Sequence, residues 1–305
     1  MNNILEDINQ LKQEKDAVIL AHYYVADEIQ DIADYIGDSY YLSEIATKLS
    51  QHTICFAGVK FMGESAKILC PDKTVLLPEV LADCPMASMA DEEKILEIRE
   101  RYDDLAVVCY INSSAELKTF SDVIVTSSNA LKIVKALPQK NIYFIPDENL
   151  GRYIASQVPD KNFIFNKGFC HVHTSISKEN VLKAKETRPN MEILVHPECK
   201  TEILELADYI GSTSGIINYA TKSDKKEFLI CTELGILHEL KQKNPDKSFY
   251  SVGHRQFCPN MKKITLQKIK DSLLNMKTEV KIDEKLRMKA YRPLKRMLEL
   301  ANENK

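Results

Sequence analysis

Short apolar runs alternate with amphipathic stretches from one end of the chain to the other. Residues 3–15 set Ile4, Ile8 and Leu11 on one helical face, and 17–21 is an uninterrupted apolar run of strand length. A run with no polar alternation is what a strand covered on both faces requires. The pattern then predicts a helix near 27–33, a strand at 34–37, a helix at 42–49, a strand at 53–57, a helix at 63–69 and a strand at 74–77. The next stretch predicts a helix at 92–101, strands at 105–109 and 122–126, a helix at 130–136, and strands at 142–145 and 162–165. Beyond it, strands are expected at 192–195, 208–211, 228–231 and 248–251. From 264 to 304 the pattern is helical and basic around Lys285 to Arg296, a solvated helix face, and Pro293 should kink or divide that helix.

The pattern is also periodic. Moving Ala207 to Gly211 back by 174 positions lays it on Ala33 to Gly37 with all five residues identical, and the same shift takes Cys258-Pro259 to Cys84-Pro85. A weaker copy lies between. Tyr110 is 88 residues after His22 and 86 before His196, and the triplets Asp34, Asp122, Asp208 and Ser39, Ser127, Thr213 keep those spacings. Cys170 lies 86 after Cys84 and 88 before Cys258, so the middle copy is two residues shorter ahead of its cysteine. One offset that aligns a strand end, an aspartate, a hydroxyl and a cysteine marks an internal repeat. The expected fold is therefore α/β, with three similar three-layer α/β/α domains, each on a parallel four-stranded sheet, around a pseudo-threefold axis. Boundaries are expected at 1–86, 87–172 and 173–260, with a helical tail at 261–305.

Composition narrows the function. A net charge of −3 gives no reason to expect nucleic acid or an anionic membrane as partner. The first residues lack the basic start and apolar core of a secretory signal, and no run approaches eighteen apolar residues, so a soluble cytoplasmic protein is expected. Eight cysteines in such a protein point to metal or catalysis rather than disulfides.

The repeat says where the chemistry lies. In parallel α/β sheets, ligands bind beyond the carboxyl ends of the strands. His22, Tyr110 and His196 each end the first strand of their unit, the hydroxyls follow the second, and the three cysteines follow the fourth. A pseudo-threefold axis would bring Cys84, Cys170 and Cys258 together. The chain has no close C-x-x-C pair of the kind structural zinc uses. Three thiolates instead suit a [4Fe–4S] cluster, whose usual four ligands would be one short, leaving an open iron that can act as a Lewis acid on a substrate hydroxyl or carboxylate. Pro85 and Pro259 suit first-turn helix positions, and a helix N-terminus favours a thiolate. Residues 126–129 and 212–215 lie between a strand and a helix, where amides and hydroxyls can hold a carboxylate or phosphate. His22 and His196 add donors. Glu198 is the base, with His196 as its partner and Tyr24, at the equivalent place in the first copy, as a helper in proton transfer. Such a set suits condensation and dehydration.

The segments Ala21 to Tyr24, Tyr110 to Asn112, Gly168 to His173, His196 to Cys199 and Phe257 to Met261 resemble the quinolinate synthase family, five motifs in order over residues 16–263. The resemblance implies an oxygen-sensitive [4Fe–4S] transferase of NAD biosynthesis that condenses iminosuccinate with dihydroxyacetone phosphate and releases phosphate and water. It implies cluster ligands Cys84, Cys170 and Cys258, substrate contacts His22, Ser39, Tyr110, Ile111, Asn112, Ser127, His196, Pro197, Glu198 and Thr213, and functional coupling to the enzyme that supplies iminosuccinate. Phe165 stands where the family is expected to carry Trp, and the C-terminal C-x-x-C element of longer relatives is absent. Two other classes stay open: a cluster-dependent hydro-lyase on a small carboxylic acid, which needs no phosphate site, and an iron–sulfur redox sensor, which leaves His196 and Glu198 idle.

The remaining candidates have blander readings. Cys55, Cys109 and Cys231 lie in apolar strands as small hydrophobes, and Cys70 and Cys199 are read the same way. Asp34, Asp122 and Asp208 are expected to brace a strand turn. His52, His238 and His254 are not expected to be catalytic; His171 and His173 are left open.

Overall fold

Runs without polar alternation become central strands. β1 (Ala17–His22) and β3 (Thr53–Ala57) are buried along their whole length and are flanked by β2 (Tyr35–Gly37) and β4 (Thr74–Leu76) in the order β2-β1-β3-β4. The second sheet has β5 (Leu105–Tyr110), β6 (Val123–Val125), β7 (Asn141–Ile145) and β8 (Asn162–Phe165) in the order β6-β5-β7-β8. The third has β9 (Glu192–Val195), β10 (Tyr209–Ile210), β11 (Glu227–Cys231) and β12 (Ser248–Ser251) in the order β10-β9-β11-β12. Every pairing is parallel. Strand order, direction and connectivity thus recur three times, and the triplicated α/β architecture is the fold. The computed structural model describes residues 2–253 and 255–303, so His254 and the last two tail residues lie outside the described residues.

Two charged devices recur with the sheets. Asp34 Oδ2 accepts from the Ile19 amide at 2.7 Å, Asp122 Oδ2 from Val107 at 2.7 Å and Asp208 Oδ2 from Ile193 at 2.8 Å. Each aspartate amide donates back to the carbonyl of the same residue. The aspartates therefore clamp the entry to the second strand onto the first, and Lys12, Arg99 and Lys185 pair with them. The second device was not anticipated. Lys73 donates to the carbonyls of Leu49 and Gln51, Lys161 to those of Leu137 and Gln139, and Lys247 to those of Ala220 and Ser223. Each ammonium collects carbonyls in the last turn of a helix or just beyond it, where they have no helical partner and the dipole favours a cation.

Several helices differ from expectation. The helix expected at 42–49 is Ser39–Ala46, because the Asp38 side chain caps it by accepting from the Tyr41 amide. Helices Glu148–Ser156 and Lys178–Thr187 were not foreseen. Pro293 does not divide the C-terminal helix, which runs unbroken over Glu284–Asn302. The carbonyl that proline leaves without a donor, four residues back, belongs to the exposed Lys289, where water can take it. Nor is the segment only a solvated face: Ala290, Pro293, Leu294, Met297 and Ala301 are buried on one side of it. That side packs against β6 and the helices Lys60–Leu69, Ala115–Lys118 and Ala130–Ala136. One apolar core unites the first two sheets and the C-terminal helices, whereas the third sheet keeps a separate core on each face, one of which takes in Tyr23 from the first unit.

Candidate active site

The carboxyl ends of the strands open into one cavity, with about 780 Å³ of empty volume counted out to its mouth. Its lining includes His22, Tyr24, Ser39, Tyr110, Asn112, Ser127, His196, Glu198 and Thr213, together with Cys84, Cys170 and Cys258. Residues that repeat at one spacing thus meet at one place. Of the expected set, only Ile111 and Pro197 are not among the lining residues, although both are buried. Ser39 and Thr213 open their helices immediately behind the caps Asp38 and Ser212, and Ser127 lies in the turn before Ala130–Ala136.

The two strand-end histidines share a hydrogen-bond pattern. Nδ1 of His22 accepts from the Tyr24 amide at 3.2 Å, and Nδ1 of His196 accepts from the Glu198 amide at 3.4 Å. A ring whose Nδ1 accepts carries its proton on Nε2. Burial pushes both pKa values down to about 3, so both rings are neutral at pH 7. They are neutral donors, not cations.

Two residues after His22, Tyr110 and His196 stand Tyr24, Asn112 and Glu198, equivalent by the repeat and different in chemistry. The Asn112 Oδ1 is buried without a hydrogen-bond partner. Glu198 is 3 % exposed. Burial works against its ionisation, but the adjacent His173, then His196 and the Tyr110 phenol, outweigh it and pull its pKa down to about 2. His173 Nδ1 lies 2.7 Å from Glu198 Oε2, off the axis of a directed hydrogen bond, and the His173 and His196 rings stack with centroids 4.6 Å apart. Nε2 of His173 is 2.9 Å from the Thr232 hydroxyl, which is 2.9 Å from the Tyr24 hydroxyl, which in turn is 2.7 Å from that of Thr213. Tyr24 reaches these two threonines because Gly235 lets the loop after β11 close on it: a Cβ there would stand 2.5 Å from the Tyr23 carbonyl oxygen and 2.8 Å from the Tyr24 Cα.

The eight cysteines divide by environment. Cys84 and Cys170 each precede a short helical turn, Pro85–Ser88 and His171–Thr174, with Pro85 in the first position of its turn; Cys258 stands just ahead of Met261–Lys263. The backbone N–H three residues on, of Ala87, His173 or Met261, interacts with each sulfur. Burial raises all three thiol pKa values, that of Cys84 to about 12, so the thiols are neutral unless a bound cation holds them as thiolates. Cys55 and Cys231 are raised by burial alone, with no such amide. Three soft donors on one cavity, each met by an amide, fit a thiolate-bound cluster with one position left open. A rival grouping exists at the same place, since Cys170, His173 and Glu198 offer ligand atoms within 4.8 Å of one another.

His173 and Thr232 were not picked out by the repeat. Their equivalents are Ala87 and Met261 for the histidine and Gly58 and Pro146 for the threonine, so no common offset could mark them. His171 lines the cavity but is exposed, His238 sits 2.8 Å from Asp31 on the surface, and His52 is exposed and outside the cavity lining. No helix among the described residues is long and apolar enough to cross a membrane.

The model of the family described as "Quinolinate synthetase A protein" matches residues 6–299. The chain is 53 % identical over 294 residues to the quinolinate synthase of Clostridioides difficile (strain 630), covering 96 % of this chain and 97 % of that one. It is 55 % identical over 296 residues to that of Fusobacterium nucleatum subsp. nucleatum, covering 97 % and 99 %. With that of Caldicellulosiruptor saccharolyticus the identity is 51 % over 301 residues, covering 99 % of each. A match this long, on a fold whose repeat brings histidines, hydroxyls and cysteines to a single cavity, places the chain in the quinolinate synthase family.

Proposed function

We propose that this chain condenses iminosuccinate with dihydroxyacetone phosphate to quinolinate, releasing phosphate and water, as a cytoplasmic transferase of NAD biosynthesis, with Cys84, Cys170 and Cys258 holding a [4Fe–4S] cluster. The observation that carries the reading is the shared cavity: three amide-met cysteines from three sheets line it together with a buried carboxylate and two neutral histidines. When bound, the cluster supplies an open, Lewis-acidic iron for a substrate hydroxyl or carboxylate.

The protein's own groups do the rest. The Nε2–H groups of His22 and His196 are donors for a substrate carboxylate. Ser39, Ser127 and Thr213, at or just before helix starts, with Tyr110 and Asn112, hold the phosphate and the second carboxylate. Glu198, held ionised by His173, is the base that takes a carbon-bound proton. A dicarboxylate bound beside it adds negative charge and raises its pKa from about 2 toward a range where it can hold that proton. Tyr24, on the lining of the same cavity, is the helper in proton transfer.

The test is anaerobic purification with iron, sulfide and zinc analysis, followed by a quinolinate assay. About four irons and four sulfides per chain are expected. Cys84→Ala, Cys170→Ala and Cys258→Ala should each lose the brown chromophore and the activity, and Cys55→Ala and Cys231→Ala should keep both. Zinc in place of iron would overturn the reading and favour the Cys170, His173 and Glu198 grouping.

A further inference from the structure

Tyr24, Asn112 and Glu198 reach the cavity from turns, and two of those turns are pinned from behind by one buried side chain each. The short helices Asp27–Gln30, Ala115–Lys118 and Thr201–Leu204 follow the turns at the repeat spacing, so Gln30, Lys118 and Leu204 are equivalent. Gln30 Nε2 donates to the carbonyls of Tyr23 at 2.9 Å and Val25 at 3.3 Å, the two neighbours of Tyr24. Lys118 Nζ donates to the carbonyls of Ile111, at 3.0 Å, and Ser113, the two neighbours of Asn112. An amide in one unit and an ammonium in the next thus make the same contacts at the same place. Gln30 is 1 % exposed and Lys118 0 %, and neither lines the cavity.

Burying an ammonium is costly, so the partners of Lys118 show what it is kept for. Its third hydrogen bond goes to the Ser113 hydroxyl at 3.2 Å. Glu64, on the helix Lys60–Leu69 of the first unit, supplies the opposite charge and accepts from the Ala115 amide at 3.2 Å. Burial lowers the Lys118 pKa to about 8, which leaves it charged at pH 7. The Ser113 amide donates to the Ile111 carbonyl at 2.8 Å, closing a three-residue turn with Asn112 at its centre. The lysine therefore holds both ends of that turn. Asn112 lines the cavity, and among the described residues its buried Oδ1 has no partner. An acceptor left free and held this firmly is placed for a ligand. In the third unit Leu204 cannot donate, and there Pro197 stiffens the backbone just before Glu198.

Resting on the substrate contacts proposed above, we infer that Lys118 is a positioning residue for Asn112, clamping the carbonyls on either side of it so that its side chain meets the substrate in one orientation, as Gln30 does for Tyr24. Lys118 acts through Asn112 and does not touch the substrate. The task needs donors at that place rather than a charge, which is why the first unit can use an amide.

Lys118→Met removes the donors and keeps most of the side-chain length; Lys118→Gln installs the group that the first unit uses. Both are purified anaerobically beside the unaltered protein, Asn112→Ala and the double variant Lys118→Met/Asn112→Ala, and compared by visible absorption, kcat and KM. The clamp predicts that Lys118→Met raises KM at least about fivefold, against the roughly tenfold or more that a lost hydrogen bond to a charged group costs. The spectrum should be unchanged and kcat within a few-fold. Lys118→Gln should recover most of the lost KM. Adding Lys118→Met to Asn112→Ala should change KM by less than about twofold, because the residue it positions is already gone. Additive effects of the two substitutions, or an unaltered KM in Lys118→Met, would overturn the clamp. Hydrogen–deuterium exchange over residues 110–115 reads the clamp with no substrate present: faster exchange in Lys118→Met, with protection restored in Lys118→Gln, supports it, and unchanged exchange in Lys118→Met sinks it. Should Lys118→Met fail to fold, Lys118→Gln decides alone: a loosened 110–115 segment, or a KM raised as far as in Asn112→Ala, would show that the charge is required and overturn the clamp. An unaltered, cluster-loaded protein that makes no quinolinate would remove the assigned reaction instead, and the exchange measurement would still judge the clamp.

Discussion

Glu198 owes its ionised state to the histidine behind it more than to the one beside it in sequence. His196, two residues back, is neutral and occupied by the Glu198 amide, so it steadies the backbone and offers Nε2 to the cavity. His173, reached from another element, is the group that holds the carboxylate ionised. Glu198→Gln keeps the shape and removes the base. It should fold, retain the brown chromophore and bind substrate, but form quinolinate at least about a hundredfold more slowly, the low end of what a positioned base supplies. Turnover within a few-fold of the parent would move the base elsewhere, with Tyr24 next to be tested. Side chains were legible in the sequence where three copies agreed on a position, as at His22, Tyr110 and His196. They were hidden where one copy had specialised alone. Thr232 stands opposite a glycine and a proline, and His173 opposite an alanine and a methionine.

Secondary-structure elements were read best where they are most buried. β1, β3 and β5 have no exposed face, so their apolar runs could hardly be anything else. The helix Lys178–Thr187 buries only Val181 and leaves almost no apolar stripe to detect. Ser39–Ala46 begins three residues early because a cap, not an apolar side chain, sets its start. Lys73, Lys161 and Lys247 keep the repeat spacing and escaped notice because a half-buried lysine looks like any surface lysine in a sequence. Each donates to two or more carbonyls in the last turn of a helix or just beyond it. Replacing any one by Met should therefore lower stability by about 1.5–3 kcal/mol, the range for hydrogen bonds to a charged group. The three effects should be similar, and denaturant unfolding of each variant measures them. A loss at one position alone would mean that the device is not equivalent in the three units.

Over the whole molecule, the buried acid–base groups respond to pH in two senses: His22, His196 and Glu198 are pulled down, whereas burial raises the carboxyls of Asp147, Glu64 and Glu233. His22 and His196 titrate near 6.5 when exposed and near 3 in the fold, so the unfolded chain binds more protons between those values. Their contribution to stability is then full above about 6.5 and falls as pH drops toward 3. Glu198, lowered from 4.5 to about 2, adds a loss of the same sign below 4.5. At pH 5 each histidine should have cost about 2 kcal/mol relative to pH 7. Comparing the change in denaturant midpoint of cluster-free protein between the two pH values with that of His196→Gln isolates this contribution, and the variant should show the smaller loss on going from pH 7 to pH 5. The architecture at this scale was legible because a repeat constrains topology as well as position. The packing of the C-terminal helices was not, since nothing in their sequence says which sheet Ala290 and Leu294 will cover.

The three places two residues after His22, Tyr110 and His196 hold Tyr24, Asn112 and Glu198, while the aspartate and lysine clamps behind them stay the same. An assembly of three identical subunits would have supplied three equivalent thiols, but also three copies of one side chain at that place: three acids, three amides or three phenols. The two substrates proposed above have no threefold symmetry, and removing a proton and donating one call for different side chains. Joining the units in one chain lets a single mutation alter one corner of the cavity without altering the other two. The conserved clamps keep the corners in register, and the covalent link lets them diverge.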